Sequence, residues 1–282
     1  MHNNSYDHYI LFQLLDSVSL LIYSFHVRKS LSVAVISKNE AANLPRALES
    51  VHWADEIVVV DSGSTDATLE IARKAGARVF EEPWMGYAQQ KNLAIALSNS
   101  DWILSLDADE EVSAELAGEI QRLLAGEPAY CAYRIPRRNH FLGKALHHGG
   151  YWPDLKLRLF RAGAARFEDR LVHETMKADG PTGRLSAPLL HHCYPTMDEY
   201  IEHMNRYSAE AAQMQVKKGR MSRSLPAFLW NVLLNPVAAF SYKYIVRMGF
   251  LDGREGLLMH LNHSVYVHWK FVKAWRMGKS GE

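Results

Sequence analysis

Trp102-Ile-Leu-Ser-Leu-Asp-Ala-Asp-Glu110 is the stretch on which the fold turns. Its first five residues form a short apolar run, which reads as a buried strand. The run ends in two aspartates, Asp107 and Asp109. Side chains at i and i+2 of a strand point to one side, so two carboxylates would face the same space. They repel each other unless a cation lies between or near them. Oxygen donors suit Mg²⁺ or Mn²⁺, ions commonly shared with substrate phosphates. Asp107 and Asp109 are therefore candidate metal ligands. Alone, such a pair more often caps the next helix; its surroundings reverse that reading.

Upstream, the pattern of strand followed by polar cluster recurs. Leu31-Ser-Val-Ala-Val-Ile36 is a β-branched run ending in Ser37-Lys-Asn-Glu40. Asn43 then reads as a helix cap with Pro45 in the first turn. Glu56-Ile-Val-Val-Val60 is a second buried strand, ending at Asp61. Ser62-Gly-Ser-Thr-Asp66 is a turn with capping side chains, and the helix from Ala67 to Ala75 is closed by Gly76. A third strand spans Ala77 to Glu81, and a third helix spans Tyr87 to Ser98. Strands alternating with helices imply parallel βαβ units, hence an α/β fold. In such sheets ligands bind at the carboxyl ends of the strands. Three polar clusters at three strand ends thus converge on one edge. There Asp61 can accept hydrogen bonds from a nucleoside. Ser37, Asn39 and Glu40 are candidates for holding base or ribose, with capping as the alternative. Lys91, on the third helix, is a candidate diphosphate ligand; a lone helix lysine is more often solvated.

Downstream, a helix runs to about Leu124, and Ala129 to Pro136 reads as a strand. Arg137 to Tyr151, rich in Gly, His and Arg, reads as a loop. Leu155-Lys-Leu-Arg-Leu-Phe160 alternates as a strand, or as a strand pair with the segment up to Thr175. From Met197 the chain reads as helical. The expected organisation is an N-terminal extension (1–30), a catalytic domain (31–196) and a helical C-terminal region (197–282). In the extension, Tyr9 to Tyr23 is mostly apolar but contains Gln13 and Asp16, and is short for a membrane span. It reads as loosely docked or disordered, with a membrane-contacting helix as the alternative.

The chain has 282 residues, 48% of them hydrophobic and 22% charged, which fits a globular protein with a sizeable core. Its formal net charge of +1 argues against a polyanionic partner such as nucleic acid. The two cysteines, Cys131 and Cys193, form no metal-ligand spacing, so a reducing, cytoplasmic setting is the default. From Lys217 to Glu282, eleven Lys and Arg stand against three acids, while the remainder is acidic on balance.

Val35-Ile-Ser-Lys-Asn-Glu40, Val58-Val-Val-Asp-Ser-Gly-Ser-Thr-Asp-Ala-Thr68, Gln90-Lys-Asn92 and Trp102 to Glu110 together resemble the family 2 glycosyltransferases of GT-A fold. The resemblance covers roughly Leu31 to Thr175. Leu157-Arg-Leu-Phe160, Leu171-Val-His-Glu174, His191-His192 and Gly249-Phe-Leu-Asp-Gly253 are similar to one branch, the bacterial lipopolysaccharide-core β-glucosyltransferases. The resemblance implies a nucleotide-sugar donor (a UDP-sugar), a divalent metal and an inverting single displacement. It also implies glucose as the sugar and a lipid-linked core saccharide as acceptor. The QxxRW motif of processive members is absent, so one sugar per event is expected. The acceptor hydroxyl needs a base opposite the departing diphosphate; Glu174 is the first candidate and Asp154 the second. His191 or His192 is a candidate supplementary metal ligand, with structural hydrogen bonding as the alternative. Arg158 and Arg161 are candidate phosphate ligands, solvation being the alternative.

The C-terminal segments Tyr242-Lys-Tyr-Ile-Val-Arg247 and His268-Trp-Lys-Phe-Val-Lys-Ala-Trp-Arg276 mix aromatic and basic residues. Such mixtures suit a helix in the interface of an anionic membrane. The expected location is therefore peripheral, on the inner face of the cytoplasmic membrane; an ordinary helical subdomain is the alternative. Two rival functions remain. A phosphatase with Asp107 as nucleophile expects Thr or Val where Glu111 stands. A non-catalytic sugar-nucleotide scaffold is disfavoured by the intact Asp61, Asp107 and Asp109.

Overall fold

Each strand end named above is held by its neighbours' register. The computed structural model describes residues 28–168 and 175–279. Residues 1–27 of the expected extension, and the segment Leu171–Glu174 with its candidate base, lie outside the described residues. Residues 28 to 30 dock on the domain: Ser30 donates its backbone N–H and hydroxyl to Asp101 at 3.0 and 2.9 Å.

Strand β1 (Leu31–Ser37) lies between β2 (Glu56–Asp61) and β4 (Trp102–Asp107), parallel to both, and β3 (Arg78–Glu81) pairs parallel with β2. Asp61 stands opposite Ser37, and Asp107 opposite Ile36. The polar clusters therefore end level, as the alternation of strands and helices predicts. Beyond β4 the sheet turns mixed. Strand β8 (Asp154–Arg161) runs antiparallel to β4 and to β6 (Ala132–Phe141), and β12 (Leu189–Tyr194) runs parallel to β6. β5 (Glu110–Val112) closes the far edge antiparallel to β12, and β11 (Thr182–Arg184) pairs parallel with β6 beside it. The order is β3-β2-β1-β4-β8-β6-β12-β5.

The strand pleat sorts the core. Leu31, Val33 and Val35 face one side and pack with helix α1 (Leu44–Glu49), α2 (Thr68–Lys74) and α4 (Ala114–Ala125). Ala34, Val58, Val60 and Ile103 face the other side, against α3 (Tyr87–Ala96) and the ribbon of β9 (Ala165–Glu168) with β10 (Thr175–Ala178). Both faces are covered, which is why the parallel strands are apolar on both sides.

Two local expectations are corrected. Asn43 does not cap α1 with its side chain. Its amide instead donates to Glu40 at 3.0 Å and accepts from Arg46 at 3.1 Å. Arg137 to Phe141 is not loop but the second half of β6, and a short β7 (Lys144–Ala145) returns on it. In that half-strand Arg137 and Asn139 are taken up by ionic and hydrogen-bond partners, while Arg138 and His140 lie against the rings of Trp152 and His192. Helices α5 (Met197–Lys217) and α8 (Gly253–Lys279) pack together over Phe141 and Leu146.

Candidate active site

The donor side of the site is built from two zipped loops. Ser37 donates to Asp61 Oδ2 at 2.9 Å, and both residues are buried. Asp61 also accepts from the N–H groups of Gly63 and Ser64, at 3.0 and 2.7 Å, and from the Ser64 hydroxyl at 2.5 Å. Its carboxylate thus organises the turn after β2. Gly63 has φ +84°, which permits that tight turn without side-chain strain. Asn39, itself left-handed at φ +56°, accepts from the Thr65 N–H at 2.8 Å and donates its own N–H to Ser64 Oγ at 2.8 Å. Glu40 N–H donates to Thr68 at 2.8 Å, and Asp66 accepts from Ala41 and Thr68. Burial, aided by Asp109, Asp66 and Asp107 and opposed by the Asn43 amide, pushes the Glu40 carboxyl up. The first and fourth strand ends converge by register, Ile36 standing opposite Asp107.

Asp107 is the hub of a buried ionic ladder. Lys91 Nζ lies 2.8 Å from one oxygen and Arg158 donates to the other at 2.5 Å. Arg158 also donates to Glu110 at 2.7 Å, and Glu110 accepts the Asp107 N–H at 3.0 Å. Arg137 joins Glu110 at 3.3 Å to Asp154 at 2.8 Å. Burial resists the charge on Asp107, but Arg158 and Lys91 outweigh it and hold the carboxyl well below its usual range. Neither cation is a solvated surface residue: Lys91 is 6% and Arg158 5% exposed. Helix α3 delivers Lys91 because Asn92 clamps Phe167 of β9, donating to its carbonyl and accepting its N–H, both at 2.9 Å. The Lys91 ammonium also sits 5.0 Å from the Phe167 ring centroid.

Asp109 lies beside β12. Its backbone carbonyl accepts the His192 N–H at 3.0 Å, which brings the preceding His191 alongside. His191 Nε2 stands 3.2 Å from Asp109 Oδ2, and Nδ1 stands 2.7 Å from Asn139. Burial opposes charge on this imidazole, but Asp109 outweighs it and lifts the ring to about 10. His192 instead reaches Glu111 at 2.9 Å and stacks on His140. Among the described residues no group of three or more His, Cys, Asp or Glu side chains surrounds a common metal position. Yet the donor chemistry fits a hard divalent ion. Asp109 keeps 31% of its side chain exposed, with an imidazole beside it and a second carboxylate two residues back.

Asp154 stands at the start of β8. Burial would raise its carboxyl, but Arg137 and Lys156, the latter at 3.0 Å, hold it low. A carboxylate so pinned is a weak base. Arg161 reaches over the Trp102 ring, away from the ladder. Sequence reading missed Glu110, Arg137 and Asn139 as members of the site. The signal for Glu110 was its place directly after Asp109.

The sequence profile of "Glycosyl transferase family 2" matches residues 32–177. The lipopolysaccharide core biosynthesis glycosyltransferase LpsC of Rhizobium meliloti is 32% identical, over 87% of this chain and 92% of that protein. An uncharacterized glycosyltransferase of Rickettsia typhi is 33% identical over 82% of this chain and 81% of its own length. Among solved structures, a mannosyltransferase of Pyrobaculum calidifontis, in complex with GDP-Man and Mn²⁺, superposes with TM-score 0.51. It is 18% identical and covers 88% of this chain and 87% of its own. That likeness bears on the fold, which is GT-A.

Proposed function

Since the chain belongs to glycosyl transferase family 2 and is a glycosyltransferase, we propose that it moves one sugar, glucose, from a UDP-sugar to a lipid-linked or lipopolysaccharide-core acceptor with inversion. The observation that carries this reading is a pair of contacts just at and past the end of β4, Lys91 on Asp107 and His191 on Asp109. Similarity to LpsC supports the choice of acceptor class. The catalytic unit is assigned to residues 31–196, with the helices from 197 as a separate region.

In this reading Ser37, Asn39, Glu40 and Asp61 shape the nucleoside pocket, their own hydrogen bonds holding the two loops together. Asp109 would hold a divalent ion, with Asp107 completing the set and His191 joining as the neutral imidazole, its proton released on binding. When bound, that ion supplies Lewis-acid stabilisation of the leaving diphosphate. The ladder refines the role of Asp107. It already carries two cations, so it acts as much to hold Lys91 and Arg158 beside the diphosphate as to ligate metal. Lys91 adds positive charge where the leaving group gains negative charge.

Acceptor activation is assigned to Glu174. Asp154, the second candidate, is pinned by Arg137 and Lys156. Glu174 directly precedes β10, whose partner β9 carries Phe167 under Lys91. The test is transfer: Glu174→Gln should bind donor with unchanged affinity and lose roughly 10²–10⁴ in kcat. Retained transfer would move the base elsewhere.

The acceptor's lipid implies an enzyme peripheral on the inner face of the cytoplasmic membrane. No helix among the described residues is long and apolar enough to cross a membrane. The basic surplus after Lys217 supports contact with anionic headgroups.

A further inference from the structure

Leu225 to Val246 is one helical run built of four pieces. α6 (Leu225–Leu229) leads into a π turn (Trp230–Leu234), then α7 (Asn235–Ser241), then a second π turn (Tyr242–Val246). Along it Leu225, Leu229, Leu233 and Val237 are exposed at four-residue intervals, and Trp230, Leu234, Tyr242 and Val246 flank them. An α-helix has 3.6 residues per turn, so a stripe repeating every four residues drifts around it. π turns bond i to i+5 and wind more slowly. Alternating the two keeps the stripe on one face. Leu225, Val237 and Val246 are 70%, 61% and 67% exposed, values foreign to a water-facing helix of ordinary patterning.

The opposite face is fully used. Val232 packs with Val267 and Phe271 of α8. Asn231 donates to Ser222 at 3.0 Å. Ser264 donates to the Pro236 carbonyl at 3.0 Å and His268 to the Val232 carbonyl at 2.9 Å. The run is therefore fixed flat on the protein, its polar groups turned inward and its apolar face bare. The second aromatic–basic segment, His268 to Arg276, is spent on this packing: Val267, Phe271 and Ala274 are buried, and Lys273 donates to Asn205 and Ser208.

Charge says what covers the bare face. From Ala211 to Leu251 there is no Asp or Glu, while Lys217, Lys218, Arg220, Arg223, Lys243 and Arg247 lie in that span. The rest of the chain is acidic on balance. We infer that the face Leu225–Leu251 inserts into the interface of an anionic lipid surface, lying in its plane. Apolar side chains with basic neighbours and interfacial Trp and Tyr are the chemistry of such helices. This inference rests on the glycosyltransferase reading and names the surface by which that enzyme meets its lipid acceptor. A short path of contacts links the face to the site. Gly149 donates to the Arg247 carbonyl at 2.9 Å, and Lys243 lies over the Tyr151 ring. Asn139 donates to the Tyr151 carbonyl at 3.3 Å and holds His191. This path joins the face to the Asp109 end of the sheet.

The experiment is sedimentation of the full chain with phosphatidylglycerol-containing vesicles and with phosphatidylcholine vesicles. Expected is binding about tenfold or more tighter to the anionic vesicles. Leu233→Glu/Val237→Glu, both exposed and so neutral for folding, should cut it at least tenfold. Trp230 fluorescence should be quenched by brominated lipid, and the quenching lost in Trp230→Phe. Absence of sedimentation overturns the inference, as does unchanged binding by the double variant. A concentration-dependent dimer that the double variant dissociates, without vesicle binding, overturns it in favour of a second copy of the chain. Metal-dependent UDP binding by the same preparations reports on the donor site alone, so the two readings fail separately.

Discussion

Arg158 carries more of the site than its sequence suggests. One guanidinium nitrogen serves both Asp107 and Glu110, at 2.5 and 2.7 Å, in a place almost closed to water. Glu110 is fully buried and would be a liability without it. Removing one partner of a buried ion network leaves an uncompensated charge, which is costly. Arg158→Met should therefore destabilise the protein by about 3–5 kcal/mol, read as a lowered urea midpoint. It should also weaken UDP binding, because Asp107 loses its anchor. A variant as stable as the parent would show the ladder to be dispensable. In the sequence Arg158 is one basic residue of an alternating strand. Its burial follows from the antiparallel pairing of β8 with β4, which no local pattern announces.

Helix α3 is the element that brings a charge into the site, and Asn92 is what seats it. Asn92→Ala removes both hydrogen bonds to Phe167. The expected loss is about 1–3 kcal/mol of stability. UDP affinity should fall with it, since Lys91 then lacks its fixed approach to Asp107. Calorimetric titration of UDP checks this; unchanged affinity would mean that Lys91 finds Asp107 without the clamp. The parallel strands themselves were legible, because β-branched runs buried on both faces leave few other readings. The second half of β6 was not. Arg137-Arg-Asn-His140 has the composition of a loop, but its polar groups reach Asp154, Glu110, His191 and His192 across neighbouring strands. Polar strands next to a site look like loops because their partners are remote in sequence. The same holds for Lys91, whose ordinary reading was a solvated lysine.

At the scale of the molecule, the helical region is joined to the sheet through a histidine-rich seam. Asp252 accepts the N–H groups of His147 and His148, and His260 fits against Gly149 and Gly249. A Cβ on Gly249 would meet the His260 ring at 2.1 Å, so only glycine permits the contact. Burial, with Lys243 nearby and Asp252 opposing, lowers His260 to about 4; burial and Lys243 do the same to His263. Both rings stay neutral when folded, whereas the unfolded chain takes up protons below about 6.5. Their stabilising contribution is thus complete above pH 6.5 and falls as pH drops toward 4. Between pH 7.5 and 5 stability should fall by on the order of 2 kcal/mol for each ring, read as a lowered urea midpoint. His260→Leu should flatten that slope; an unchanged slope would assign the acid sensitivity elsewhere. The charge asymmetry of this region was legible from the sequence. The exposed face was not, because its four-residue stripe stays straight only through the π turns.

Asp109, in the turn that follows the fourth strand, is assigned the ion that binds the donor's diphosphate. Titration of the full chain with UDP, with and without Mn²⁺ and repeated on Asp109→Ala, decides this assignment. Expected is metal-dependent binding by the parent and its near-complete loss in the variant, with the fold retained. Binding of UDP that ignores Mn²⁺, or that survives Asp109→Ala unchanged, would contradict it.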